Sequence, residues 1–319
     1  MPRHPNFVPE GVIPAIILPF KSDFSIDEQA FKRHAADVAG VEGVTALTLN
    51  AHSTEVSSCT FDEQRRVLEL ALESVGDRLP IVNGIYADGS FEAQRIARMA
   101  TEAGASCLLV FPPNVFRGGQ RADMAVEHFR RIADATDLPL ILFQYPTASG
   151  HGYPLATLLK IAEAVPSVRA IKDGCANPEQ HEQHIRTLQS LSRPVNVLST
   201  HSSWLFSSLV MGCNGLLSGS GSVIAELQAR LYRAVKANDL VAARELNTRI
   251  RATSTVFYAD PRSDMHNRMK EALVLLGKLE CAAVRPPLVK LSADEIGRIK
   301  QALIAAGLLA ADGRARRAA

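Results

Sequence analysis

Paired cysteines are what this chain most clearly lacks. Its five cysteines, Cys59, Cys107, Cys175, Cys213 and Cys281, are widely spaced, and none lies within four residues of another. That excludes zinc pairs of the CxxC kind. The odd count argues for reduced thiols in a cytoplasmic protein. Histidine gives no metal pattern either. The nine histidines are scattered, with no HxH or HExxH at a strand end. His181 and His184 stand at helical spacing, but on an outer helix, where surface positions are expected. Strong charge is also missing: a net +2 gives no field for nucleic acid or an anionic membrane. No apolar run reaches the eighteen or so residues of a membrane span. The opening MPRHPNFVPE lacks the apolar stretch of a secretory signal. After the first apolar run comes PFKSDFS, with no GxGxxG, so a dinucleotide fold is not indicated. Neither a metal nor a cofactor is expected.

What is present is a regular alternation over 319 residues, 47% of them hydrophobic. Eight short apolar runs recur at intervals of about thirty residues, the length of a strand–helix unit. They are GVIPAIIL (11–18), VTALTLN (44–50), LPIVNG (79–84), SCLLVF (106–111), LPLILF (138–143), VRAIK (168–172), PVNVLS (194–199) and NGLLS (214–218). Most are apolar without alternation, as strands buried on both faces of a parallel sheet are. Between them the spacing predicts helices over 27–39, 61–75, 91–103, 124–135, 155–165, 178–191, 203–212 and 223–237. Asp27, Thr60, Ser90, Asn177 and Ser202 stand where N-caps belong. Eight such pairs in order indicate an α/β fold, a (β/α)₈ TIM barrel, over 10–237. After it the strands stop. Helices over 239–256, 264–281 and 293–307 make a C-terminal helical region (238–309), broken at VRPPL (284–288), and ADGRARRAA falls in a frayed tail (310–319).

In such a barrel the chemistry sits at the C-terminal ends of the strands. Strand six ends in VRAIKDG, at a lone Lys172. Burial there disfavours the ammonium form. A lysine moved from ~10.4 toward ~7–8 can attack a carbonyl and form a Schiff base. Strand two ends in His52, Ser53, Thr54 and Glu55. Ser53 and Thr54 suit either a carboxylate-binding turn or an ordinary helix-capping turn. His52 suits a proton carrier or a single structural hydrogen bond. Glu55 is expected to be structural, bonding backbone amides. GSGS (219–222), after strand eight, suits a phosphate or carboxylate site.

With the strand order and lysine in place, the chain resembles the dihydrodipicolinate synthase and N-acetylneuraminate lyase family over about residues 10 to 309. The resemblance is carried by AIKDG around Lys172, by YPTASG after strand five and by NRMKEALVLLGKLECAAVRPPL (267–288). It implies a class I aldolase, often a homotetramer, that binds pyruvate or a related 2-oxo acid through the lysine, with an aldehyde as second partner. The family's Schiff-base lysine falls on Lys172. Its carboxylate-binding GTTGE turn falls on Ala51 to Glu55, where Ser53 and Glu55 match best, and the strand-eight residue that touches the pyruvyl group falls on Leu217. The relay tyrosine of its YNxPxxTG pattern falls on Phe143, which has no hydroxyl and is left as a substrate-binding wall. Tyr145, two residues on and on the same strand face, is the nearest phenol. His52 or a water are the other substitutes. Ala148 stands where dihydrodipicolinate synthases place the arginine for a second carboxylate, so that reaction is not expected. FPPN (111–114) lacks the family's aromatic pair, and the strand-five stretch is more similar to 2-keto-3-deoxygluconate aldolases. A carbon–carbon lyase is the first expectation. A hydratase–aldolase or dehydratase, or a 2-oxo acid sensor without turnover, are the alternatives.

Overall fold

The computed structural model describes residues 3–200, 203–310 and 312. Eight parallel strands form one sheet: β1 (Gly11–Val12), β2 (Leu47–Leu49), β3 (Ile81–Ile85), β4 (Cys107–Val110), β5 (Leu140–Gln144), β6 (Val168–Asp173), β7 (Asn196–Ser199) and β8 (Gly215–Leu216). β8 pairs with β1, and parallel bridges Val12–Val44 and Ala15–Thr48 join β1 to the β2 segment, closing the barrel. Seven helices alternate with the strands: α1 (Glu28–Ala39), α2 (Phe61–Val75), α3 (Ser90–Ala103), α4 (Ala122–Ala133), α5 (Leu155–Ala164), α6 (Pro178–Leu188) and α7 (Leu205–Val210). After β8 come α8 (Gly221–Lys236), α9 (Leu240–Phe257), α10 (Met265–Leu275) and α11 (Ala293–Ala305). No helix among the described residues is long and apolar enough to cross a membrane.

The period-two rule sorts each strand into two cores. On β4, Leu108 and Val110 pack outward against the helices, while Cys107, Leu109 and the following Phe111 point into the barrel. On β5, Leu140 and Leu142 face out and Ile141 and Phe143 face in. On β6, Ile171 faces out and Ala170 faces in, so Lys172 continues the inward row. A third cluster joins Ile17 and Ala30 of the barrel to Phe257, Met269, Leu273, Ile299 and Leu303 of the C-terminal helices.

The caps fall mostly where the sequence puts them. Asp27, Thr60 and Asn177 each accept a backbone N–H of the first helical turn, and Thr60 with Glu63 forms a reciprocal box. Ser90 is a correction. Gly89 holds that cap, and the Ser90 hydroxyl bonds His128 instead. Ser202 lies outside the described residues, as does the tail except for 310 and 312.

Candidate active site

The mouth of the barrel opens into a cavity of about 480 Å³. Lys172 lines it, 6% exposed, at the end of β6. Its Nζ lies 4.2 Å from the centre of the Phe143 ring, on the strand paired beside it. Among the described residues no carboxylate stands within ion-pair distance of this amine. Burial lowers its pKa from 10.5 to about 7. The ring face favours the ammonium by about 2 kcal/mol in such a desolvated site, less than the burial penalty it opposes, so it does not restore an ordinary lysine. Near neutral pH the amine is therefore uncharged about half the time.

Tyr145 follows Phe143 at i+2, and its ring packs on that of Phe143 at 4.6 Å between centres. Its hydroxyl lies 3.2 Å from His52 Nε2. Both line the cavity. Burial holds the phenol protonated well above its usual range. Burial, then the charges of Lys172 and His151, lower His52 to about 3, so the imidazole is neutral and able to accept a hydrogen bond from the phenol.

The turn that carries His52 starts from a close backbone approach. A Cβ on Gly84 would lie 1.9 Å from the Asn50 carbonyl oxygen, so only glycine lets β3 sit against the end of β2. Asn50 has φ 51° and bonds Asn83 and the Gln64 carbonyl through its amide. Two single-turn 3₁₀ segments follow, His52–Thr54 and Val56–Ser58, joined at Glu55 with φ 50°. One Glu55 oxygen accepts from the Lys270 ammonium and the other from the backbone N–H of Arg285. The expected structural role is thus filled by a buried ion pair as much as by amides. Ser53 is 2% exposed, lines the cavity, and its hydroxyl has no partner among the described residues.

Two expected ligand residues sit elsewhere. The Thr54 hydroxyl accepts the Ala51 N–H and donates to the Ala51 carbonyl, and Thr54 is not part of the cavity lining. Its role is the capping alternative. Leu217 is fully buried in the barrel-interior cluster and does not line the cavity, and Ala15 does. In GSGS only Gly219 reaches the cavity. The Ser218 and Ser220 hydroxyls bond each other, and that of Ser222 accepts the Ile17 N–H and bonds His34. The serine hydroxyls belong to the framework, which corrects their reading as an anion site.

His181 and His184 also need correcting. They are buried, and the Nδ1 of each bonds Asp173 Oδ2, at 2.8 and 2.7 Å. Asp173 alternates with Lys172 and faces outward toward α6. The acid, Cys175 and His184 bring three ligand-type atoms within 4.8 Å of one another. The carboxylate is already satisfied there by two imidazoles and the Cys175 N–H, and the hydrogen bonds hold the end of β6. None of the three residues lines the cavity.

The far wall had no signature in the sequence. Arg251, Ser254, Thr255, Tyr258, Arg262, Met265 and His266, from α9 to α10, line the same cavity as Lys172. The Tyr258 hydroxyl accepts the Ser220 N–H. Burial, then the charges of His52, Lys172 and Lys270, lower His266 well below 6.5. Only tertiary packing brings these residues to the barrel mouth.

A closed parallel barrel with a reactive amine buried at its C-terminal mouth has the architecture of a barrel aldolase. The chain belongs to the dihydrodipicolinate synthetase family, whose model matches residues 8–306. It is 30% identical over 300 residues to a 4-hydroxy-tetrahydrodipicolinate synthase of Gluconacetobacter diazotrophicus, covering 94% of this chain and 98% of that one. It is 27% identical to the enzyme of that name from Methanopyrus kandleri over 97% of this chain and all of the other. Among solved structures it is similar in fold to YagE of E. coli K12, a family member in complex with pyruvate, at TM-score 0.86 and 23% identity over 94% of this chain and 99% of that one. The dihydrodipicolinate synthase of Thermotoga maritima superposes at TM-score 0.87 and 23% identity, over 95% and 100%. The protein is therefore an enzyme, a carbon–carbon lyase of the class I aldolase kind.

Proposed function

We propose that Lys172 condenses with the ketone of pyruvate or a longer 2-oxo acid and makes or breaks the neighbouring C–C bond. The observation that carries this is the buried Nζ, without a carboxylate partner, on the wall of a cavity much larger than a three-carbon acid. The amine adds to the carbonyl, and the carbinolamine loses water to give the iminium. In the cleavage direction a base takes the proton of the 4-hydroxyl. The C3–C4 pair then flows into the iminium, leaving an enamine and releasing an aldehyde. Protonation at C3 and hydrolysis return pyruvate and the amine. Tyr145, hydrogen-bonded to neutral His52, is the proton carrier in place of the hydroxyl that Phe143 lacks. The unpartnered Ser53 hydroxyl is the group for the substrate carboxylate.

The substrate differs from that of the named relatives in this reading. Ala148 is an exposed alanine outside the cavity lining and offers no cation for a second carboxylate near β5. A sugar-acid type of 2-oxo acid fits better than the synthesis of dihydrodipicolinate. The phenol–imidazole pair favours turnover over a sensor role. A homotetramer in solution is part of the same proposal, read by light scattering. The decisive experiment is borohydride reduction in the presence of pyruvate, with peptide mass spectrometry. An adduct on Lys172 is expected, and an unmodified Lys172 sinks the proposal.

A further inference from the structure

We infer that the outer end of the cavity is an oxyanion subsite, built by Arg251 and Arg262, for an anionic group on the substrate's end remote from the 2-oxo acid. The inference rests on the imine reading of Lys172 and adds the class of substrate.

The cavity lining has a one-sided charge. Among the described residues it contains Lys172, Arg251 and Arg262, and no aspartate or glutamate. Two guanidinium groups and a partly protonated amine, without a carboxylate, favour an anionic occupant. One carboxylate at the Ser53 end answers only the inner part of that field.

Arg66, Arg268 and Arg285 are tied to Glu28, Glu295 and Glu63. Arg251 and Arg262 form no ion pair among the described residues, although Asp260 and Asp264 flank Arg262 in the chain. They come from two elements, α9 and the 3₁₀ turn Arg262–Asp264, and meet the same cavity. Both are exposed, so they stand at the entrance while Lys172 is buried within. A planar guanidinium fork suits a carboxylate or a phosphate equally. The volume of about 480 Å³ leaves room for a chain that reaches from the amine to the rim.

The test uses the full-length enzyme and three 2-oxo-4-hydroxy acids, alike through C5 and ending in a hydroxymethyl, a carboxylate or a phosphate ester. Pyruvate release is followed by lactate dehydrogenase. An anionic end is expected to raise kcat/KM by about tenfold or more over the neutral one, mainly through KM. The better of the two anions identifies its source. In Arg251→Gln and Arg262→Gln that ratio falls toward one, and Arg→Lys at either position restores part of it. Circular dichroism melts verify that these surface variants fold. A wild-type ratio near one, or a ratio unmoved by both substitutions, overturns the subsite. Failure of the wild type to form a borohydride-trapped pyruvate adduct sinks the imine reading, and this inference with it.

Discussion

The Lys172 ammonium is disfavoured by its own burial, and this has two measurable consequences. The amine fraction rises with pH through about 7, so labelling by pyruvate and borohydride is expected to be half-maximal near that pH. Labelling that stays low until pH 9 would mean an ordinary solvated lysine. The second consequence is stability. The unfolded chain keeps the amine near 10.5 and binds more protons between pH 7 and 10.5. The burial penalty is thus full below pH 7 and shrinks as pH rises through that window. At pH 7 it amounts to about 4 kcal/mol, so Lys172→Met is expected to raise the urea midpoint while abolishing the adduct. Tyr145→Phe removes the proposed proton carrier and is expected to lower kcat by about 10²-fold or more. His52→Asn is expected to lower the rate less. Because His52 titrates near 3, that variant leaves the limb near pH 7 in place, as a pH profile of kcat will show. At this scale the sequence was legible wherever a residue's face follows from its own strand. Lys172, Phe143 and Tyr145 fell into place by the period of two. Thr54, Leu217, His181 and His184 did not, because hydrogen-bond partners and depth depend on elements far away in the chain.

The turn after β2 is held from outside the barrel. Glu55 lies at a left-handed junction, and its carboxylate is locked by Lys270 of α10 and the Arg285 amide. The Lys270 ammonium also donates to the Ala283 carbonyl and lies over the Phe20 ring. Removing one partner leaves a buried charge uncompensated. Glu55→Gln or Lys270→Met is expected to cost about 3–5 kcal/mol in chemical denaturation, and the double variant less than the two summed. Full additivity in that cycle would mean the two groups act separately. A turn held this way also positions Ser53 and His52, so the single variants should raise KM for the 2-oxo acid. The existence and order of the elements were readable because buried parallel strands and amphipathic helices have different periods. Their ends were less so. The first strand spans only Gly11–Val12 where eight apolar residues were read, because β1 meets β2 through single bridges, not a continuous ladder.

Barrel and C-terminal helices share both a core and a cavity, and this bears on how the molecule folds. Ile17 and Ala30 of the barrel are buried by Phe257, Met269, Leu273, Ile299 and Leu303. Each large apolar side chain in such a cluster contributes ~1.5–3 kcal/mol of burial, so losing the helices removes several such contributions at once. The helices also supply Lys270 to the Glu55 turn and the outer wall of the cavity. Residue 237 therefore falls at the end of α8, the last helix of the barrel, and the helices beyond it are packed into the same core and cavity. A chain ending at Asn238 leaves Ile17 and Ala30 facing water and the Glu55 carboxylate buried without its cation. It is expected to lose the cooperative melt of the full chain and to bind hydrophobic dyes, as circular dichroism and fluorescence would detect. A truncated barrel that melts cooperatively within a few degrees of the full chain would show the helices to be an accessory layer, and the arginine wall would then be a later addition to an independent fold.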